Sequence, residues 1–325
     1  MFLGATCLSG WGLSLDAWGL SALSSLAGGW NAVLMNTPNG FKRVLLATDG
    51  SQEADAAVDA TIGLVRDAYS SAEVRVVHAW NLEVHHHHGY WDVEVRSEAE
   101  KLVGATVERL KAAGVRADSE LLRADSDHVA DAVALAAREF VADLVVLGSR
   151  GLSDWQSMFR HSVSHQVLSA VDCPVLIVRG HTFPAGGPRR VLLAIAGGDD
   201  LAPGVRASVA AAAAPESKVM VVHVTQAIFG APGLAYVEPD YEIRATMAAA
   251  ARLLGEAGVP SEGIVAHAGP VAKTVGEIAE GWKADVIVIG SSRMGDLGSL
   301  VLGSVSHYLL RTTGRPVLIA ERVRP

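Results

Sequence analysis

Short, nearly continuous apolar runs recur along the chain and predict strands that are buried on both faces. Examples are Val44–Ala47, Leu144–Leu147 and Val175–Ile177. Such runs are typical of parallel sheets covered by helices. The segments between them carry apolar residues at helical spacing, as in Val58, Ile62 and Val65. This alternation of strand and helix predicts an α/β protein.

Further helices follow from the same spacing. One is marked by Val103, Val107 and Leu110, with Ser97 and Glu100 as an expected capping box at its start. The remaining predicted helices are marked by Val129, Val133 and Phe140, by Ile243–Leu254 and by Val271–Trp282.

The pattern occurs twice. Val44–Gly50 corresponds to Val191–Gly197, and Asp143–Ser149 corresponds to Asp285–Ser291. Two further pairs keep nearly the same offset of roughly 145 residues: Val76–Ala79 with Val221–Val224, and Cys173–Ile177 with Arg315–Ile319. A duplicated unit predicts two tandem α/β domains, each a parallel sheet of about five strands with helices on both faces.

The expected boundaries follow from the repeats. Residues 41–179 form the first domain, 180–188 a Gly- and Pro-containing linker, and 189–325 the second domain. Residues 1–40 are an extension outside the fold. Residues 1–34 contain no Lys or Arg and lack clear periodicity. They are either an overlong start, with Met35 as the initiator, or a real peripheral or membrane-associated tail.

Composition narrows the function classes. The 325 residues are 50% hydrophobic and 19% charged, which excludes disorder as the main state. The net charge of −8 disfavours a nucleic-acid binder and an anionic-membrane binder. Cys7 and Cys173 have no metal or redox spacing, which favours a reducing compartment and a cytoplasmic protein.

Two strand ends carry candidate chemistry. Asp49 ends the first strand, where a carboxylate can accept hydrogen bonds from a nucleoside. Gly148 and Gly151 follow the fourth strand, where glycines let main-chain N–H groups approach an anion. Each motif alone is weak, because Asp-Gly and Gly-x-x-Gly are also common turns. Their joint placement at two strand ends predicts a site there.

These residues resemble the universal stress protein family, in two copies. Nucleotide-binding members of that family have an Asp-Gly-Ser-like end to the first strand and a loop of the form Gly-x2-Gly-x9-Gly-Ser/Thr. The resemblance implies a Rossmann-like fold related to adenine nucleotide alpha hydrolases. It also implies ATP as ligand, with or without Mg2+, although some members bind no nucleotide.

The first repeat departs from the family motif at one loop position. Thr48 and Asp49 match the nucleoside end, and Gly148 and Gly151 match the first two loop glycines. His161 stands where the third glycine is expected, either as an obstruction or as a donor to phosphate. The following hydroxyl position is matched by Ser162.

The second repeat departs differently. Ala196 replaces the aspartate, and Arg293 replaces the second loop glycine. The positions that match the loop are Gly290, Gly303 and Ser304. The family position that follows the second strand, where main-chain atoms contact the adenine edge, is occupied by Ala79 and Val224. Because an alanine cannot replace the carboxylate, the first repeat is expected to bind nucleotide better.

Several histidines have both a functional and a structural interpretation. His78 and His223 lie at matching strand ends and are either satisfied structural histidines or catalytic bases. The loop His85–His88 is either solvated or supplies two metal ligands with Glu83 or Asp92. We expect no metal site, because adjacent histidines cannot all face one metal. We expect no catalytic residues, because no acid–base or triad spacing is present.

The leading functional expectation is an ATP-binding, stress-response regulatory module with little or no turnover. The alternatives are a tandem scaffold that binds no nucleotide and a slow ATP-hydrolysing enzyme. Val175–Val178 and Val317–Ala320 are expected to pair, which would make the two domains an internal pseudo-dimer and protect both sheet edges. A homodimer of tandem chains is a further expectation.

Overall fold

The computed structural model describes thirteen segments of the chain. They are residues 40–65, 72–80, 94–124, 126–149, 163–181, 183–184, 186–196, 201–225, 227–230, 233–236, 239–267, 269–290 and 303–320. The extension of residues 1–34 and the His85–His88 loop lie outside them. No helix in these segments is long and apolar enough to cross a membrane.

The first repeat alternates strands and helices as predicted. Its strands are β1 (Arg43–Ala47), β2 (Glu73–Trp80), β3 (Arg116–Arg123), β4 (Leu144–Gly148) and β5 (Val175–Val178). Its helices are α1 (Gln52–Val65), α2 (Glu94–Ala112), α3 (Val129–Phe140) and α4 (Val163–Ala170), with a 3₁₀ turn at Ser126–His128.

The second repeat keeps this order and adds a hairpin. Its strands are β6 (Arg190–Ile195), β7 (Lys218–Thr225), β8 (Ala227–Gly230), β9 (Gly233–Tyr236), β10 (Ser261–His267), β11 (Val286–Gly290) and β12 (Val317–Ala320). Its helices are α5 (Leu201–Ala211), α6 (Asp240–Glu256), α7 (Val271–Trp282) and α8 (Ser304–Thr312). The antiparallel β8–β9 hairpin was not predicted, because it has no counterpart in the first repeat's pattern.

All main strands form one ten-stranded sheet, in the order β10-β7-β6-β11-β12-β5-β4-β1-β2-β3. Neighbours within each repeat are parallel, whereas β12 and β5 pair antiparallel through Leu318 opposite Leu176. The two repeats therefore share one sheet, and the fifth strand of each is an interior strand of that sheet.

The helices form a layer on each face. One apolar cluster contains residues of α1, α2, α5 and α6, and the other contains residues of α3, α4, α7 and α8. The apolar runs of the strands supply the interior of both clusters, and Leu45, Leu176 and Ile287 are at most 1% exposed. Burial on both faces is the physical reason why these strands are continuously apolar.

The segment between the repeats lies against helix α1. The Cβ and ring of Phe183 lie so close to Gly63 that a Cβ added there would be 3.2 Å from Phe183 Cβ. Across the join, the guanidinium of half-buried Arg179 donates to the carbonyls of Leu310 and Thr313 at the end of α8. Burial lowers the pKa of Arg179 from its usual value. A side chain of the first repeat thus caps a helix of the second.

A repeated aspartate connects the fourth strand of each repeat to the first. Asp143 accepts the main-chain N–H groups of Lys42 and Arg43 at 2.7 and 3.0 Å. Asp285 accepts those of Arg189 and Arg190, both at 2.8 Å. Desolvation raises the pKa of Asp143, and the two N–H donors oppose that shift.

The expected capping box at Ser97 is wrong. Helix α2 begins at Glu94, so Ser97 lies inside its first turns rather than at its start. Arg96 and Glu100 form an i,i+4 ion pair at 3.0 Å across this position. Residues 94–96 include no helix-breaking residue, so the helix begins about one turn before Ser97.

Candidate functional site

The order of the strands reverses between β1 and β4, and a ligand site is expected at this point. The chain runs outward from β1 to β2 and β3 and then returns to place β4 on the other side of β1. Ala47 lies opposite Leu147, so Asp49, which follows β1, and Gly148, which is the last residue of β4, lie at the same edge of the sheet. In open parallel sheets this reversal leaves a crevice beyond the carboxyl ends of the strands. The same reversal occurs between β6 and β11, next to Ala196 and Gly290.

Asp49 belongs to a tight turn that starts helix α1. Its Oδ1 accepts the N–H of Ser51 at 3.0 Å, and Ser51 Oγ accepts the N–H of Ala54 at 3.2 Å. Gly50 has φ 75°, a conformation that a side chain would strain. The carboxylate is exposed, so the turn holds it at the mouth of the crevice with one oxygen already engaged.

Thr48 connects strand β1 to this turn. It is buried, and its Oγ1 accepts the N–H of Gly50 at 3.3 Å. Its main-chain N–H donates to Val77 O at 3.0 Å, and His78 Nδ1 lies 2.7 Å from its carbonyl oxygen. The backbone leading into Asp49 is therefore held by β2 as well as by its own side chain.

Gly148 has a packing role that the sequence motif does not reveal. A Cβ at this position would lie 2.5 Å from the carbonyl oxygen of Glu53 and 2.7 Å from the N of Ala54. The end of β4 thus lies directly against the first turn of α1, where only glycine fits. The glycine is required for this close approach, whatever it contributes to anion binding.

The helices after β4 and β11 have first turns suited to an anion. Neither α4 nor α8 carries an acidic residue in its first turn, whereas α1 carries Glu53 and Asp55. Negative charge near a helix N-terminus competes with a bound anion for the same partial positive charge. Gly303 precedes α8 with φ −61° and ψ 159°, and Ser304 is the exposed first residue of that helix.

Four predicted loop residues lie outside the described residues: Gly151, His161, Ser162 and Arg293. The structure brings together the other predicted residues of the first repeat, namely Thr48, Asp49, Ala79 and Gly148, at adjacent strand ends. Within the described segments, no group of three or more His, Cys, Asp or Glu side chains could hold a metal ion.

Ala79 and Val224 were expected after the second strand of each repeat, but both lie inside it. Each is the seventh residue of an eight-residue strand, β2 or β7. Ala79 pairs with Leu122 of β3, and Val224 pairs with Ala266 of β10. These strands extend past the ends of β1 and β6, because an outer neighbour continues to pair with them.

His78 and His223 occupy equivalent positions and make equivalent contacts. His78 Nδ1 lies 2.7 Å from Thr48 O, and His223 Nδ1 lies 3.1 Å from Ile195 O. A carbonyl oxygen only accepts, so Nδ1 carries the hydrogen in both histidines. These contacts fix the orientation of each imidazole ring through Nδ1.

A family model described as "Universal stress protein family" matches residues 40–179 and 187–321. A universal stress protein of Mycobacterium tuberculosis is 28% identical over 304 residues, covering 89% of this chain and 100% of the relative. One from Thermus aquaticus is 34% identical over 142 residues, covering 43% of this chain and 99% of the relative.

Solved structures show the same fold. A universal stress protein from Archaeoglobus fulgidus has a TM-score of 0.67 at 21% identity, covering 86% of this chain and 96% of that chain. A structure of a putative universal stress protein from Pseudomonas aeruginosa has a TM-score of 0.54 at 17% identity, covering 90% and 95%.

Proposed function

Since the chain belongs to the universal stress protein family, with two copies of the family's domain, we propose that it binds an adenine nucleotide, ATP above all, as a stress-response regulatory module of the cytoplasm. The observation that carries this proposal is the meeting of Asp49 and Gly148 at adjacent strand ends, where the strand order reverses. Mg2+ would accompany the triphosphate.

The two ends of a nucleotide have different partners in this arrangement. The Asp49 carboxylate, which accepts the N–H of Ser51, has the lone pairs to accept a further hydrogen bond from a ribose hydroxyl. The phosphates belong toward the loop after β4, which leads to α4 with no acidic residue in its first turn. Gly151, His161 and Ser162 of that loop are proposed phosphate contacts.

The first repeat is the proposed principal site. The exposed Asp49 carboxylate has no equivalent in the second repeat, where Ala196 stands at the end of β6. Loss of one hydrogen bond to a ligand polar group weakens binding by about 1–3 kcal/mol, or roughly ten- to a hundredfold. The second repeat would offer Gly290, Arg293, Gly303 and Ser304 to phosphates, and Val224 would lie beside the base.

Turnover should be slow. Activation of a water molecule needs a base whose accepting atom is available. The Asp49 carboxylate is partly engaged by Ser51 N–H, and His78 Nδ1 donates to the Thr48 carbonyl. The sequence has no acid–base or triad spacing that would hold an attacking water beside either group, so binding rather than hydrolysis is the proposed activity.

The domain arrangement supports one further part of the proposal. The antiparallel pairing of β5 and β12 joins the repeats as two separate single-domain chains would be joined in a dimer. We therefore regard the tandem chain as an internal pseudo-dimer, and a homodimer of tandem chains remains a prediction.

Calorimetric titration with ATP tests the proposal. Wild-type protein should bind ATP, Asp49→Ala should weaken binding roughly ten- to a hundredfold, and Gly303→Val should leave it nearly unchanged. Gly303 has an ordinary extended backbone, so valine there adds bulk without strain. No heat at millimolar ATP would favour the scaffold alternative. Binding that survives Asp49→Ala but fails in Gly303→Val would place the principal site in the second repeat.

A further inference from the structure

The two repeats differ by one residue pair at the strand ends that border the site. The β1–β2 ladder runs from Arg43 opposite Glu73 to Ala47 opposite Val77 and ends there. The corresponding β6–β7 ladder continues one pair farther, to Ile195 opposite His223. In the duplicated pattern this extra pair corresponds to Thr48 and His78, which are not paired through the main chain.

The residue pair that the β1–β2 ladder lacks corresponds to one main-chain hydrogen bond. Thr48 N–H donates to Val77 O at 3.0 Å, so the next bond of a parallel ladder would run from Ala79 N–H to Thr48 O. Within the described residues this bond is not formed. Instead, the Thr48 carbonyl oxygen accepts a hydrogen bond from His78 Nδ1–H, with Nδ1 and the oxygen 2.7 Å apart.

The direction of the Ala79 peptide groups follows from its neighbour. Trp80 O accepts the N–H of Ala124 at 3.3 Å, on the side of β3. Successive residues of a strand direct their N–H and C=O groups to opposite neighbours. Ala79 therefore directs both groups to the side of β1, past its end and toward the crevice beside Asp49.

We propose that His78 is a positioning residue for base recognition: by occupying the Thr48 carbonyl it keeps the Ala79 N–H available to the purine ring, which makes the first repeat selective for adenine. The proposal rests on the proposed nucleotide-binding function and adds the cause of its base specificity. An N–H and a C=O on one residue match the N1 acceptor and N6 donor of adenine. Guanine presents the opposite pair, an N1 donor and an O6 acceptor, and is rejected.

In the second repeat, the main-chain N–H that corresponds to that of Ala79 is paired within the sheet. The pairing of Ile195 with His223 uses the Ile195 carbonyl as acceptor for the Val224 N–H. His223 Nδ1 lies 3.1 Å from the same carbonyl, farther than in the first repeat, as expected for an acceptor shared with the ladder. The Val224 N–H is thus engaged in the sheet, and adenine recognition is confined to the first repeat.

Three variants separate this role from a merely structural one. His78→Asn places an amide donor where Nδ1 stands and should retain the contact with the Thr48 carbonyl. His78→Leu removes the donor, so the carbonyl becomes available to Ala79 N–H and the ladder can close. His223→Leu is the matched control in the second repeat, where the corresponding N–H is already engaged.

The measurement is the affinity of the full chain for ATP and for GTP by calorimetry. Wild type and His78→Asn should prefer ATP by about tenfold or more. His78→Leu should lose about tenfold in ATP affinity, with the preference over GTP falling toward one, while His223→Leu behaves as wild type. Wild-type selectivity in a folded His78→Leu variant would overturn the proposal.

Amide hydrogen exchange tests the ladder independently of nucleotide. In the wild-type protein without ligand, the Ala79 amide should exchange faster than that of Val224, and in His78→Leu it should become protected. Equal protection of the two amides in wild type would overturn the proposal even if ATP binds. Absence of ATP binding would overturn the proposed function, and this exchange result would still distinguish an open Ala79 N–H from a closed one.

Discussion

Asp49 accepts the main-chain N–H of Ser51 at 3.0 Å, so the carboxylate proposed to hold a nucleoside also holds the turn that starts helix α1. Replacement by alanine would remove both functions at once. Asparagine keeps a side-chain oxygen for Ser51 but removes the charge and replaces the other oxygen by an NH2 donor, which makes it the sharper test.

Asp49→Asn is therefore expected to keep the stability of wild type and to lose ATP affinity. The expected loss in affinity is roughly tenfold, because the substitution removes the charge and one of the two oxygens that can accept from a ribose hydroxyl. Asp49→Ala should in addition lower the free energy of unfolding by about 1 kcal/mol, as loss of a capping interaction does. Calorimetry and urea unfolding measure the two effects. Wild-type affinity in Asp49→Asn would contradict a contribution of the Asp49 charge to nucleotide binding.

Gly148→Ala is expected to destabilise the protein by about 1–3 kcal/mol, the usual range for overpacking a close contact. The added Cβ would lie 2.5 Å from Glu53 O, which is main chain and cannot move aside cheaply. Gly104→Ala is the matched control. Gly104 lies in α2, and an added Cβ would have no atom within 4 Å beyond its chain neighbours and the adjacent backbone of its own helix. Alanine there should raise stability by up to about 1 kcal/mol.

Thermal unfolding of Gly148→Ala and Gly104→Ala tests whether the close contact between Gly148 and α1 limits what can replace the glycine. Similar melting temperatures for both would show that α1 does not hold Gly148 as tightly as the contact indicates. Because of this clash, loss of ATP binding in a Gly148 variant could not by itself be assigned to the phosphates.

Val141→Gly is expected to stabilise the protein by about 0.5–1 kcal/mol. Val141 ends helix α3 with φ 53° and ψ 49°, a left-handed conformation that is strained for a β-branched side chain. The side chain is 68% exposed, so its removal costs little packing. Lys283, with φ 56° at the end of α7, is the matched position, and Lys283→Gly should gain less because lysine is not branched at Cβ. Urea unfolding of both variants tests the ranking, and a destabilised Val141→Gly would contradict it.

Glu280 is expected to contribute a small stability that depends on pH. Hydrogen bonds from Arg315, at 3.1 and 2.9 Å, lower the pKa of Glu280 below its ordinary value. A lowered carboxyl pKa contributes stability that is present above the unfolded-state pKa and is lost as pH falls through the folded-state pKa. The Glu280 side chain is 56% exposed. Solvent screening at such an exposed pair should keep the contribution below about 1 kcal/mol.

Urea unfolding of wild type and Glu280→Gln at neutral and acidic pH measures this contribution. The difference between them should be largest at neutral pH and shrink as Glu280 becomes protonated. The same substitution in an Arg315→Gln background should show a much smaller pH dependence. An equal pH dependence in that background would assign the effect to another partner.

Much of this molecule follows from sequence alone. Strands β4 and β11 are continuously apolar because they are buried on both faces, and that signal is local to a few residues. The duplication, the strand–helix alternation and the placement of Asp49 and Gly148 at strand ends follow from it. The family membership and the α/β fold that these features indicated are confirmed. The start of α2 was misplaced by one turn, since a serine followed by a glutamate also occurs inside helices.

Tertiary structure decided what depends on contacts between residues far apart in the chain. Gly148 lies so close to Glu53 only because the chain passes through β2 and β3 and then places β4 beside β1. The motif of the first repeat likewise contains Ala79 and His78 but cannot show where the β1–β2 ladder ends, because the register of two strands is set by their packing in the sheet. Sequence determined which elements form and where chemistry can lie; the pairing of strands decided which peptide groups are left to face a ligand.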